Sequence, residues 1–144
     1  SINKCLAKTG IQNFLTAVLR KVRPAAVLVP AGSDLHPDHQ AVYKDTLISL
    51  FHAGGDIWPE LGQPCDLPSV FEFPLYVDMY SPPDIMIEAE AELFERKLAS
   101  IAAFASQKQI KVIVDNIRAN GPVEFLRNLN FAFYSSAKYR KLFA

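Results

Sequence analysis

Several kinds of signal are scarce in this sequence, and each scarcity excludes something. Cysteine occurs twice, at Cys5 and Cys65, in neither a C-x-x-C pair nor a dense framework, so a disulfide scaffold is not the basis of the fold. That usage sets the expectation of a reducing compartment and hence of a cytoplasmic protein. No uninterrupted apolar run approaches the roughly 18 residues of a membrane span, and no segment has the basic start and apolar body of a secretion signal. Neither sign of charge prevails, because 15 Lys and Arg balance 15 Asp and Glu. The chain therefore has no field to steer it onto nucleic acid or an anionic membrane. Internal repeats and low-complexity stretches are also missing, so any partner has to be argued from particular residues.

What is present is enough apolar material for a core. Half of the 144 residues are apolar, and a chain of this size buries a core without covalent staples; a single domain over residues 1–144 is expected. Ile11, Phe14, Leu15, Val18, Leu19 and Val22 recur at helical spacing, which predicts an amphipathic helix capped by Thr9 and ended before Pro24. "AAVLVP", Ala25 to Pro30, lacks alternation and fits a strand covered on both faces, as in parallel sheets. A second helix follows, with Asp38 as its cap, Val42, Leu47, Leu50 and Phe51 as its buried side, and Gly54 and Gly55 as its end. The stretch from Asp56 to Pro68 holds three prolines and a glycine and reads as a surface loop that borders a pocket and shapes specificity. "SVFEFPLY", Ser69 to Tyr76, is a strand ended by Pro74. Glu88 to Gln107 is a long helix with its apolar stripe on Phe94, Leu98, Ile101 and Ala105. "IKVIVDNI" is read as helical up to a stop at Gly121, and "PVEFLRNLNF" as a further short helix. The alternation of helix and strand is the grammar of an α/β sheet.

The densest chemistry lies in "LHPDHQAV", Leu35 to Val42, which follows the first strand, where α/β sheets hold their ligands. His36 and His39 are three positions apart, a spacing that brings two rings to one face of a regular helix. Pro37 biases His36 away from helical geometry, so two arrangements stay open. Either both imidazoles take one metal ion, or His39 ligates the metal while His36 handles a proton at the reacting centre. Asp38 is placed to accept the ring N–H of one histidine, fixing its tautomer and raising its basicity. A metal-lowered water beside an imidazole acid is equipment for amide hydrolysis. The same residues also make an ordinary polar helix start.

The stretches "VLVPAGSDLHPDHQAV", "FEFPL" and "PPDIMIEAEAELFERKLASIAAFASQ", in that order over roughly residues 11 to 109, resemble the second half of the PIG-L, or LmbE-like, family of zinc-dependent N-deacetylases. Lys97, Ser106 and Gln107 stand where that family has a lysine-bearing helix ending in Ser-Gln. The resemblance implies a Rossmann-like three-layer α/β/α fold with a mostly parallel sheet, and zinc-assisted hydrolysis of an N-acetyl group on an amino sugar or its conjugate. It assigns His39 as a zinc ligand, His36 as the general acid or oxyanion partner and Asp38 as the residue that orients His36; Asp34 lies where some members place another active-site side chain. The family's earlier A-H-P-D-D motif, source of the other two ligands and the general base, has no counterpart here. The chain opens on Ser1 and enters a helical pattern almost at once, so the expectation is the C-terminal part of the family's fold, inactive alone and completed by an N-terminal segment or another copy. The rival expectation is a non-catalytic α/β binding or assembly module without a complete metal site.

The remaining candidates read more simply. His52 at a helix end complements the dipole. Trp58 and Glu60 are candidates to line a sugar site or to pack on their own domain. Glu72 is an inward or edge strand residue or one that reaches the cleft, and the aromatic, basic tail with Tyr134, Tyr139, Arg140 and Lys141 does not make a nucleic-acid site at zero net charge.

Overall fold

The computed structural model describes residues 2–143, with side chains from residue 10 onward. The proposed cap Thr9 and the cysteine Cys5 therefore lie outside the described side chains. The chain forms two compact units, one of residues 1–82 and 127–144 and the other of residues 83–126.

In the first unit, helix α1 (Ile2–Val22) is two helical segments joined across Gly10, whose φ of 72° and ψ of 162° break the regular geometry. A residue without Cβ takes that conformation at little cost. Strand β1 (Ala26–Pro30), helix α2 (Pro37–Gly54) and strand β2 (Ser69–Phe73) follow, and β1 pairs with β2 in parallel from Ala26↔Ser69 to Pro30↔Phe73. The ladder continues beyond β1, where Ala31 N donates to Phe73 O at 2.9 Å. Leu19, Val29, Leu50, Ala53, Cys65 and Val70 are the buried core, with Val27, Tyr43 and Leu47 packed against it. One face of β1 is thereby filled by Val27 and Val29. The other is not, since Leu28 is 59% exposed. The expected two-sided cover of "AAVLVP" is thus corrected to one.

The buried side of α2 is the expected one at Leu50, which is buried, and at Leu47, which packs on the core, and differs from it elsewhere. Ser49, Leu50 and Ala53 are buried, whereas Val42 and Phe51 are exposed. The reason is the seam with α1: Ser49 Oγ donates to Gln12 O at 3.1 Å and Gln12 Nε2 to Asp45 Oδ1 at 2.8 Å. Small residues such as Thr16, Ser49 and Ala53 let the two backbones approach.

In the second unit, strand β3 (Ile85–Glu88) pairs antiparallel with strand β4 (Val123–Asn128), from Ile85↔Leu126 to Glu88↔Val123. Helices α3 (Ala91–Ala102) and α4 (Ile110–Asn120) lie between them in the chain. The last residues of β4 belong to the first unit, where Arg127 and Asn128 pair antiparallel with Glu72 and Phe71 of β2. The strand order is β1-β2-β4-β3, a mixed sheet with one parallel and two antiparallel pairings. A mostly parallel sheet is therefore corrected to a mixed one within an α/β fold. A short helix α5 (Ser136–Arg140) closes the chain.

Two element assignments change in this region. "PVEFLRNLNF" holds strand β4, not a helix, because pairing with β3 and β2 supplies hydrogen bonds that outweigh local propensity. The long helix expected from Glu88 begins only at Ala91 and ends at Ala102, since Glu88 is in strand β3. Ser106, in a turn, and Gln107, in no regular element, lie beyond its end. "IKVIVDNI" is helical as read, and Gly121 stops it at φ 82°. Among the described residues no helix is long and apolar enough to cross a membrane.

Candidate functional site

The segment from Ala31 to His39 connects the carboxyl end of β1 to α2. Asp34 is the hinge of this connection. Its backbone N–H donates to Ala31 O at 3.0 Å, which turns the chain back, and its side chain is wholly buried. Asp34 Oδ1 accepts from His36 N at 2.8 Å, an aspartate bonding the backbone two residues on as in an Asx turn. Asp34 Oδ2 lies 3.1 Å from His39 Nδ1 and accepts from Tyr76 N at 3.4 Å. One buried carboxylate thus ties both histidines to the loop that follows β2.

Burial pushes the Asp34 carboxyl up, but the hydrogen bonds from His36 N, His39 Nδ1 and Tyr76 N, with the charge of His39, outweigh it and hold the group below its ordinary value. Asp34 is therefore ionised and can only accept. The ring atom facing it, His39 Nδ1, must carry hydrogen, which leaves the Nε2 lone pair of the neutral ring free. This carboxylate–imidazole pairing orients a metal-ligating histidine in many metal sites.

His36 is held the opposite way. It caps α2, its Nδ1 accepting from Asp38 N at 3.3 Å, with Pro37 in the first helical turn. The cap is thus His36, and the expectation that Asp38 caps α2 is corrected: Pro37, with its fixed φ and no N–H to satisfy, starts the helix and puts Asp38 inside it. With Nδ1 accepting, the proton of the neutral ring sits on Nε2. The two imidazoles, with centroids 4.6 Å apart and planes at 31°, so present different atoms: an N–H from His36 and a lone pair from His39. The Asp38 carboxylate is exposed, and the carboxylate bonded to an imidazole is that of Asp34.

Tyr76 completes the cluster. Its ring lies 5.3 Å from that of His39 at only 16° and 6.0 Å from that of His36 at 40°, so the three rings form a triangle. Close by, the buried carboxylate of Glu72 accepts from Arg127 Nε at 2.6 Å and from Gly32 N at 3.4 Å, holding the first turn of the β1–α2 connection. A Cβ at Gly32 would meet the tip of the Tyr43 ring at 2.8 Å, so any other residue there displaces that ring.

The long loop from Asp56 to Pro68 is not part of this cluster. β1 and β2 are parallel, so the connection leaving β1 and the loop entering β2 lie at opposite ends of the strands. Helix α2, 18 residues long, separates them by about 27 Å at 1.5 Å per residue. The expectation that this loop borders the site is corrected on that ground. It is organised instead by Arg20, which is 3% exposed. The Arg20 guanidinium donates to the carbonyls of His52, Ala53, Gly55, Ile57, Trp58 and Gly62 at 2.7 to 3.4 Å. His52 packs edge-on against Trp58 at 4.5 Å, at the far end of α2 from His36.

Sequence reasoning named His36, Asp38 and His39, left the role of Asp34 open, and missed Tyr76 and Arg20. A signal for Tyr76 exists: it follows the carboxyl end of the second parallel strand, the same edge that made "LHPDH" interesting. No sequence pattern marks Arg20. Among the described residues, no group of three or more His, Cys, Asp or Glu side chains is arranged to hold a metal ion.

These features define an α/β protein with a histidine pair anchored on a buried aspartate at the carboxyl edge of two parallel strands. Three solved structures share the fold. The conserved protein TT1542 from Thermus thermophilus superposes with a TM-score of 0.72 at 22% identity, over 90% of this chain and 63% of that one. GalB, the 4-carboxy-2-hydroxymuconate hydratase from Pseudomonas putida KT2440, gives 0.64 at 17% identity, over 87% and 60%. The N,N'-diacetylchitobiose deacetylase from Pyrococcus horikoshii gives 0.63 at 21% identity, over 92% and 55%. The chain thus spans less than two thirds of each of these proteins, and at such identities the likeness is one of fold. No family model and no curated protein matches the sequence.

Proposed function

We propose that this chain is the C-terminal part of a Rossmann-like, PIG-L-type de-N-acetylase that hydrolyses the acetamide of an N-acetylated amino sugar or its conjugate. The observation that carries the reading is the opposite anchoring of the two imidazoles. His39, with Nδ1 on buried Asp34, presents a lone pair fit to hold zinc. His36, with Nδ1 on the Asp38 backbone, presents an N–H fit to donate to an oxyanion. When bound, zinc supplies Lewis acidity and a water of lowered pKa. His36 Nε2–H would stabilise charge on the carbonyl oxygen and pass its proton to the leaving amine. Asp38 would orient His36 through the backbone N–H it contributes. The deacetylase among the structures of the same fold agrees with this reaction class.

The fit to zinc is partial, since this chain offers one imidazole where a catalytic site takes three protein ligands. The remaining ligands and the general base would come from an N-terminal segment or a second copy. The test is the natural gene product with whatever precedes residue 1. It is expected to bind zinc stoichiometrically and to release acetate from N-acetylglucosamine conjugates, and His39→Ala is expected to abolish both. Undiminished acetate release by His39→Ala would sink the reading. A gene product that binds no zinc and releases no acetate would favour a non-catalytic α/β module.

A further inference from the structure

We infer that Tyr76 is a positioning residue that fixes the ring plane and the tautomer of His39. Two independent contacts support this. The backbone N–H of Tyr76 donates to Asp34 Oδ2 at 3.4 Å, the oxygen that also faces His39 Nδ1 at 3.1 Å. Its side chain lies nearly parallel to the imidazole, at 16° and 5.3 Å between centroids. The first contact holds the acceptor and the second holds the ring.

The hydrogen bond alone would not be enough. An imidazole pinned at Nδ1 can still tip about that contact, and the His39 side chain is 24% exposed while that of Asp34 is buried, so water reaches the ring but not its partner. An offset-stacked aromatic ring restrains tipping and excludes water from one face, and such pairs add to what burial alone provides. Which imidazole nitrogen carries hydrogen is set by the bond the other atom makes. Loss of the Tyr76 ring therefore lets water compete with Asp34 and loosens the choice of Nδ1–H. Tyr76 as a residue is 67% exposed, more than a residue kept for core packing requires.

Tyr76 lies beyond β2 and His39 beyond β1, so the inference also couples two loops: displacing the segment after Pro74 releases the His39 imidazole. Only its consequence for metal affinity rests on the function proposed above; the tautomer does not.

The experiment is nitrogen NMR of the histidine side chains in this chain, at alkaline pH, for wild type, Tyr76→Phe, Tyr76→Leu and Tyr76→Ala. His52, at the far end of α2, is the internal control. Wild type and Tyr76→Phe are expected to show His39 in a single Nδ1–H form. Tyr76→Leu and Tyr76→Ala keep the backbone N–H but are expected to show a mixture of tautomers, with His52 unchanged. In the natural gene product the same two variants are expected to lose roughly tenfold in zinc affinity. A single Nδ1–H form in Tyr76→Leu and Tyr76→Ala overturns the inference. Parallel changes at His52 or global unfolding also overturn it, since either would mean a general structural role. If the tautomer shifts but no variant alters acetate release, the positioning role stands and the de-N-acetylase reading fails.

Discussion

Helix α2 has a histidine against an aromatic ring at each end, and the two ends are built for different purposes. At its start, His39 lies flat against Tyr76 and bonds the buried carboxylate of Asp34. At its end, His52 meets Trp58 edge-on, and its buried Nδ1 has no hydrogen-bond partner among the described residues. The buried charge beside His52 is Arg20, and it serves carbonyl oxygens, not the imidazole. A charge facing a side chain sets that side chain's chemistry, whereas a charge facing carbonyls holds a loop in place. Residue type and aromatic company are alike at the two ends; the partner of the imidazole separates a candidate site from a structural joint.

The largest effect is expected where the loop is held. Arg20→Met removes donors from six carbonyls and is expected to cost about 3 kcal/mol or more in urea unfolding. Arg20→Lys should recover little, because an ammonium cannot reproduce the planar fork. The nitrogen shifts of His39 should not change in any Arg20 variant that still folds. A change there would break the comparison.

Next comes Asp34→Ala, which leaves the His39 Nδ1–H and two backbone donors without their acceptor. It is expected to cost about 1 to 3 kcal/mol and, in the natural gene product, to weaken zinc binding roughly 10- to 100-fold. Calorimetric unfolding and zinc competition measure the two effects separately.

The pH dependence follows from the sign of the Asp34 shift. Its folded value is lowered, so its contribution to stability is fully present above the unfolded value of about 3.9 and is lost as pH falls through the folded value. Urea unfolding of wild type and Asp34→Asn as a function of pH should show a gap that is constant near neutrality and closes in acid below the ordinary carboxylate range. A gap that widens on acidification would contradict the assignment.

The smallest effect is expected at the other imidazole. His52→Leu removes an unpartnered buried nitrogen while keeping the carbonyl that Arg20 uses. Stability should stay within about 1 kcal/mol of wild type, on the favourable side. A loss of several kcal/mol would mean that His52 has an energetic role like that of His39, and the contrast between the ends of α2 would be blunted.

Much of the first unit was legible because its signals are local. Helical spacing marks α1 after Gly10, the apolar run marks β1, Pro37 and the two histidines mark the start of α2, and "SVFEF" marks β2. The second unit was less legible. "PVEFLRNLNF" has no decisive period, and its state depends on strands distant in the chain: Ile85 to Glu88 on one edge, Phe71 and Glu72 on the other. The outward face of Leu28 and the small-residue seam between α1 and α2 are also products of packing, which hydrophobic periodicity does not encode.

By itself the sequence determined that this is an α/β chain with two histidines, three apart, at the start of a helix that follows a strand. Composition, spacing and proline are local properties, and they act on the backbone before any distant contact forms. Only the tertiary structure decided that Asp34 holds His39, that the two rings offer opposite atoms, and that Tyr76 lies on the site while the proline-rich loop lies at the other end of α2. Those outcomes depend on the parallel pairing of β1 with β2, which brings the two carboxyl-end loops together and sends the intervening loop to the opposite edge. Parallel pairing is a contact between residues some forty positions apart, and no local pattern fixes which loops it will join.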